Sequence, residues 1–128
     1  MFEVSVRGSF SAAHRLHGHA GGCANPHGHN WEVEVLLRGE TLDALGLLVD
    51  FQVVKQAVRE ALAALDHADL NALDLFQNAN PTSENLARLL YEDLQRRLDH
   101  PRYRVWGVRV SESPGTSVLY REDRDAGR

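Results

Sequence analysis

Phe2-Glu3-Val4-Ser5-Val6-Arg7-Gly8-Ser9-Phe10-Ser11-Ala12-Ala13-His14 is the stretch from which the fold is read. Its even positions, Phe2, Val4, Val6, Gly8, Phe10 and Ala12, carry apolar or small side chains and end on His14, while Glu3, Ser5, Arg7, Ser9 and Ser11 fall between them. This alternation predicts a strand with one buried face that terminates in a histidine. A Gly-rich loop, 16–25, follows. Beyond it His27, His29, Trp31, Val33, Val35 and Leu37 alternate with Gly28, Asn30, Glu32 and Glu34, a second half-buried strand.

Further along the chain the period changes from two to three and four. Asp50 is placed to cap a helix carrying Phe51, Val54, Val58, Ala61, Leu62 and Leu65 on its apolar face, ending near Asp66-His67. Asn80-Pro81-Thr82-Ser83 starts a second helix with Leu86, Leu89, Leu90, Leu94 and Leu98, closed by Pro101. The segment 68–80 between them reads as irregular. Trp106, Val108, Val110 and Glu112 share one face of a third strand, Ser113-Pro114-Gly115 is a turn, and 116–121 makes a fourth strand. The order ββααββ predicts an α+β fold, an antiparallel four-stranded sheet with two helices on one face. One domain spans 1–122, and 123–128 is a short tail.

Composition bounds the function. With 43% hydrophobic and 25% charged residues over 128 positions, the chain can bury one core and is not disordered. A net charge of -4 without basic blocks argues against a nucleic-acid partner. No apolar run approaches the roughly 20 residues of a membrane helix. A single cysteine and no basic apolar leader give the expectation of a cytoplasmic protein.

Histidine is the anomaly: five of the seven lie within the first 29 residues, around Cys23. In an antiparallel hairpin, His14 at the end of one buried face lies beside His27 and His29 at the start of the other. Any one of them alone would be an ordinary hydrogen-bonded histidine. Three on one face would repel when protonated and leave ring nitrogens unpaired, problems that a metal removes. Three imidazoles with a fourth position open describe a catalytic zinc site. Cys23 could close that site as a fourth ligand, stand above it as a thiolate base or nucleophile, or be a small buried hydrophobe. His17 and His19 fall outside the alternation, in the loop, as substrate contacts or lid groups.

Taken together, several of these elements resemble the 6-pyruvoyltetrahydropterin synthase superfamily. They are Phe10-Ser11-Ala12-Ala13-His14-Arg15-Leu16, Cys23-x3-His27-x-His29, Val49-Asp50-Phe51, Leu65-Asp66-His67, Asn80-Pro81-Thr82-Ser83-Glu84-Asn85 and Val110-Ser111-Glu112. The three-residue gap after Cys23 is more like the bacterial 6-carboxytetrahydropterin synthase branch than the animal pyruvoyl enzymes. Ala68 departs from bacterial examples that carry another histidine there. The resemblance implies a tunnelling fold whose sheets join between subunits into a barrel, as a hexamer with active sites between subunits. It implies zinc on His14, His27 and His29, proton transfer by Cys23, Asp66 and His67, a pterin anchor at Glu112, and pterin contacts at Thr82 and Ser83.

The residues themselves read more plainly in places. Asp66-His67 is first a helix end and Thr82-Ser83 first a helix cap. Glu112 is either a solvated edge carboxylate or one paired with the donors of a guanidine-like ring edge. Arg15 and the loop histidines are candidates for phosphate contacts, because a net negative chain must supply positive charge locally. The implied activity is conversion of 7,8-dihydroneopterin triphosphate to 6-carboxy-5,6,7,8-tetrahydropterin, acetaldehyde and triphosphate, on the way to queuosine. A pyruvoyltetrahydropterin synthase and a non-catalytic zinc or pterin module are the alternatives.

Overall fold

β1 (Phe2–His14) and β2 (His27–Gly39) pair antiparallel over their whole length, from Phe2 opposite Gly39 to His14 opposite His27. This hairpin, seen in a computed structural model that describes residues 1–123 apart from the Cys23 side chain, is the frame of the molecule. Residues 124–128, most of the expected tail, lie outside the described residues. α1 (Phe51–Ala63) follows, then a two-residue strand β3 (Ala68–Asp69), α2 (Ser83–Arg97), β4 (Arg104–Ser113) and β5 (Thr116–Tyr120). The sheet order is β3-β1-β2-β4-β5.

The expected four antiparallel strands are present, but the sheet has five. β3 adds parallel to β1, with Ala12 opposite Ala68, so the order is ββαβαββ. The rest of the segment expected to be irregular holds two 3-10 turns, Leu70–Ala72 and Asp74–Phe76. Pairing rather than periodicity creates β3, since two residues are too few to show a pattern.

One sheet face carries both helices and the core. Val6, Phe10, Trp31, Val33, Val35, Leu37, Val108 and Val110 pack there against Val54, Val58 and Leu62 of α1 and Leu86, Leu90 and Leu94 of α2. Gly8 lets α1 approach: a Cβ on it would come 2.7 Å from Val58 Cγ1. Both helix starts are as read. The Asp50 carboxylate accepts the Gln52 amide at 2.8 Å, and the Thr82 hydroxyl accepts the Asn85 amide at 3.1 Å.

Three core assignments are corrected. Phe51 is 55% exposed, because it opens α1 on the solvent side, and Phe2 is 46% exposed at the strand's start. Trp106 is not on the core face. β4 bulges where Leu36 pairs with Gly107 and Leu37 with Val105, so Val105 turns inward and Trp106 outward, its ring 3.7 Å under the Arg38 guanidinium.

Candidate metal centre

At the end of the hairpin the core face runs out of aliphatic side chains and becomes imidazole. His14, His27 and His29 meet there, their ligand atoms all within 4.8 Å of one another. Their rings stand steeply to each other, with centroids 4.5 Å apart for His14 and His27, 5.1 Å for His14 and His29, and 4.8 Å for His27 and His29. Trp31, fully buried, forms the floor; its indole donates to the Ala12 carbonyl.

Hydrogen bonds set the tautomers. His14 Nδ1 lies 2.8 Å from the Pro81 carbonyl and His27 Nδ1 2.8 Å from the Asn25 carbonyl. A carbonyl only accepts, so each Nδ1 carries the proton and each Nε2 offers a lone pair. Backbone carbonyls behind ligating histidines are the usual outer support of a zinc site. His14 is 2% exposed, and burial, reinforced by His27 and His29, pushes its pKa below the usual imidazole value against the Pro81 and Glu112 contacts. It is therefore held neutral, the form that binds metal. His14 Nε2 and His29 Nε2 are buried without a hydrogen-bond partner. Orphaned lone pairs of this kind are costly unless something occupies them, and three neutral imidazoles suit a zinc ion.

Glu112 reaches the same place from β4, its Oε2 3.4 Å from His14 Nε2 and 3.5 Å from His29 Nε2. Thr82 caps α2, and Ser83 is that helix's first residue, two residues after the carbonyl that holds His14. Cys23 sits in a short 3-10 turn, Gly22–Ala24, on the loop leading to His27; its thiol lies outside the described structure. Arg15, His17 and His19 are exposed on the same loop.

Asp66 and His67 stand elsewhere in the chain, on the outer edge of β1. The Asp66 carboxylate accepts the Ser11 amide at 3.0 Å and lies 3.1 Å from His67 Nδ1, while the His67 amide donates to the Ser11 carbonyl. The Ser11 amide foremost, and then His67, hold the Asp66 carboxyl below the ordinary carboxylate pKa. His67 adopts φ 59°, left-handed backbone that is uncommon for a residue with a side chain, and its imidazole is 82% exposed. Arg7, Lys55 and Arg59 share a cleft of about 300 Å³ with Asp66.

Sequence reading missed two asparagines, Asn71 and Asn80, whose side chains bind the backbone of the loop after β1. Asn80 is visible in the sequence as part of a helix start, but nothing in the spacing links it to His17.

A two-helix α+β sheet with three imidazoles converging at one end gives the chain a place where a metal ion could be held, and its relatives carry the same architecture. The chain belongs to the 6-pyruvoyl tetrahydropterin synthase family, whose pattern matches residues 3–123. It is 34% identical over 133 residues to the 6-pyruvoyl tetrahydrobiopterin synthase of Homo sapiens, covering 93% of this chain and 90% of that one. It is 32% identical over 126 residues to the 6-carboxy-5,6,7,8-tetrahydropterin synthase of Bacillus subtilis, covering 94% and 85%. Among solved structures, the 6-pyruvoyl tetrahydropterin synthase of Caenorhabditis elegans superposes with a TM-score of 0.85 at 31% identity, covering 95% and 96%. The sheet and both helices therefore form the fold of that family. No helix among the described residues is long and apolar enough to cross a membrane.

Proposed function

We propose that the chain is a zinc-dependent lyase that converts 7,8-dihydroneopterin triphosphate to 6-carboxy-5,6,7,8-tetrahydropterin, acetaldehyde and triphosphate, consuming water, in the route to queuosine. The observation that carries this reading is the cluster of His14, His27 and His29, with the Nε2 atoms of His14 and His29 buried without a hydrogen-bond partner, in a chain of this family. The Cys23-x3-His27-x-His29 spacing favours the carboxy product over the pyruvoyl one.

Zinc held by the three imidazoles would polarise the hydroxyls of the substrate's side chain and stabilise negative charge developing there. Glu112, beside the triad, accepts the paired donors of the pterin's guanidine-like edge and so orients the ring. Thr82 and Ser83, next to Pro81, supply further pterin contacts. Cys23 as thiolate takes a side-chain proton, and Asp66 with His67 relays it, each well-placed group contributing about 10²- to 10⁴-fold. Because Asp66 and His67 face outward from the β1 edge, this reading pairs them with the triad of an adjacent subunit. Arg15 offers positive charge to the triphosphate, and His17 and His19 on the same loop offer ring N–H donors.

A 6-pyruvoyltetrahydropterin synthase is the second reading, favoured by what the human and nematode relatives are named. A non-catalytic zinc or pterin module, with Cys23 closing the metal site, is the third. Cys23→Ala separates catalysis from that third reading. Turnover is expected to fall about 100-fold or more while about one zinc per chain is retained. Loss of zinc and fold together would mean that the thiol is a structural ligand.

A further inference from the structure

The backbone of β1 does not stop being paired at His14. Along its outer edge the chain between 66 and 80 closes on it step by step: Asp66 and His67 at Ser11, β3 at Ala12 and Ala13, Asn71 at Arg15, and Asn80 at His17. The last two contacts are made by side-chain amides standing in for a strand. Asn71 Oδ1 accepts the Arg15 amide at 2.8 Å and its Nδ2 donates to the Arg15 carbonyl at 3.0 Å. Asn80 does the same to His17, at 2.9 Å in both directions. A planar primary amide donates and accepts side by side, which is what a peptide edge requires.

We propose that Asn80 is a positioning residue for the site, locking the loop that carries Cys23 to the carbonyl that orients His14. Three connections meet at this residue. Its side chain clasps His17, the start of the 16–26 loop. Its own carbonyl accepts the Asn85 Nδ2 at 2.8 Å and the Thr82 amide at 2.9 Å, fixing it to the first turn of α2. The next residue, Pro81, presents the carbonyl that accepts from His14 Nδ1. A loop released at His17 is free to move against the triad, whereas the loop as built has the same reference point as His14. His27, beyond the loop's far end, is held separately as the first residue of β2, opposite His14, so removing the clasp loosens the loop without removing a ligand.

The inference rests on the proposed role of Cys23, and the test reads the loop with and without turnover. Asn80→Ala is compared with wild type in the zinc-loaded full chain. The His17 amide should exchange its hydrogen faster by about tenfold or more as local opening becomes easier. Alkylation of Cys23, the only cysteine and hence the whole thiol signal, should rise about threefold or more with the same opening. Zinc content should stay the same, while kcat should fall about tenfold or more with KM within about threefold, the pattern of a misplaced reacting group.

Asn80→Asp keeps the acceptor for the His17 amide but sets a carboxylate oxygen against its carbonyl. It should shift every readout in the same direction, and it carries the test if the alanine variant does not fold. Faster exchange with unchanged alkylation and unchanged kcat, in whichever variant folds, would overturn the proposal and leave the clasp purely structural. If wild type shows no turnover, the lyase reading fails; alkylation then decides the positioning claim alone, an unchanged rate overturning it.

Discussion

His14 joins the core to the chemistry. It closes the apolar face of β1, is buried against Trp31, donates from Nδ1 to Pro81 and leaves Nε2 without a hydrogen-bond partner, 3.4 Å from Glu112 Oε2. His29 has the same orphaned nitrogen but a side chain 23% exposed, and no backbone carbonyl is seen behind it among the described residues. The two should therefore separate when replaced. His14→Ala and His29→Ala are both expected to lose the zinc proposed for this site. Only His14→Ala should also destabilise the metal-free protein, by about 1–3 kcal/mol, because it strands the buried Pro81 carbonyl and leaves a cavity. Metal analysis with urea unfolding in chelator checks both; equal loss of stability would deny His14 its dual part.

The triad was legible in the sequence because a strand's period of two and a hairpin's register together place His14 opposite His27. Asn71 and Asn80 were not. Their contacts join residues 56 and 63 positions apart through side-chain amides, which leave no periodic trace.

At the scale of elements, α1 ends at Ala63, short of the Asp66-His67 end expected of it, but both helix starts and their caps were read correctly, since Asp50 and Thr82 act locally on the amides that follow them. The bulge in β4 was not, and it sent Trp106 to the wrong face. A bulge is a mismatch between two strands, so neither strand's own pattern announces it. Gly8 shows the same limit. As a small residue on the core-face alternation it looks like a weak position in β1, but it is where Val58 and Leu62 of α1 pack onto the strand. Gly8→Ala would place a methyl 2.7 Å from Val58 Cγ1 and 3.3 Å from Leu62 Cδ1. It should cost about 1–3 kcal/mol of stability by overpacking, outweighing the entropy that alanine removes from the unfolded chain. Urea midpoints measure the difference, and a more stable variant would mean that α1 simply moves away.

For the whole molecule, the unfinished features are the sheet edges. β3 and the Asp66–His67 pair cover β1 only from Ser11 to Ala13, leaving the outer edge of 2–10 without a strand among the described residues, as is the outer side of β5. Long unpaired edges invite association. The face away from the helices carries charge instead of core, with Arg38 on Glu3 at 2.8 Å and Arg7 and Arg109 flanking Glu34. That combination suits the barrel that the family resemblance implies, in which edges pair between copies. Ser11 sends its amide and carbonyl outward, so the alternation directs those of Ser5 outward too. Ser5→Pro removes one outward donor and should dissociate the proposed hexamer in analytical ultracentrifugation while the circular dichroism of the fold persists. A wild-type monomer, or a variant still fully assembled, would rule out pairing through this edge.

The most direct measurement is product identification by mass spectrometry after zinc-loaded protein is incubated with 7,8-dihydroneopterin triphosphate. The account predicts 6-carboxy-5,6,7,8-tetrahydropterin with acetaldehyde and triphosphate. A pyruvoyl product would contradict the carboxy assignment while leaving the metal site and fold in place, and unchanged substrate would contradict the lyase reading itself.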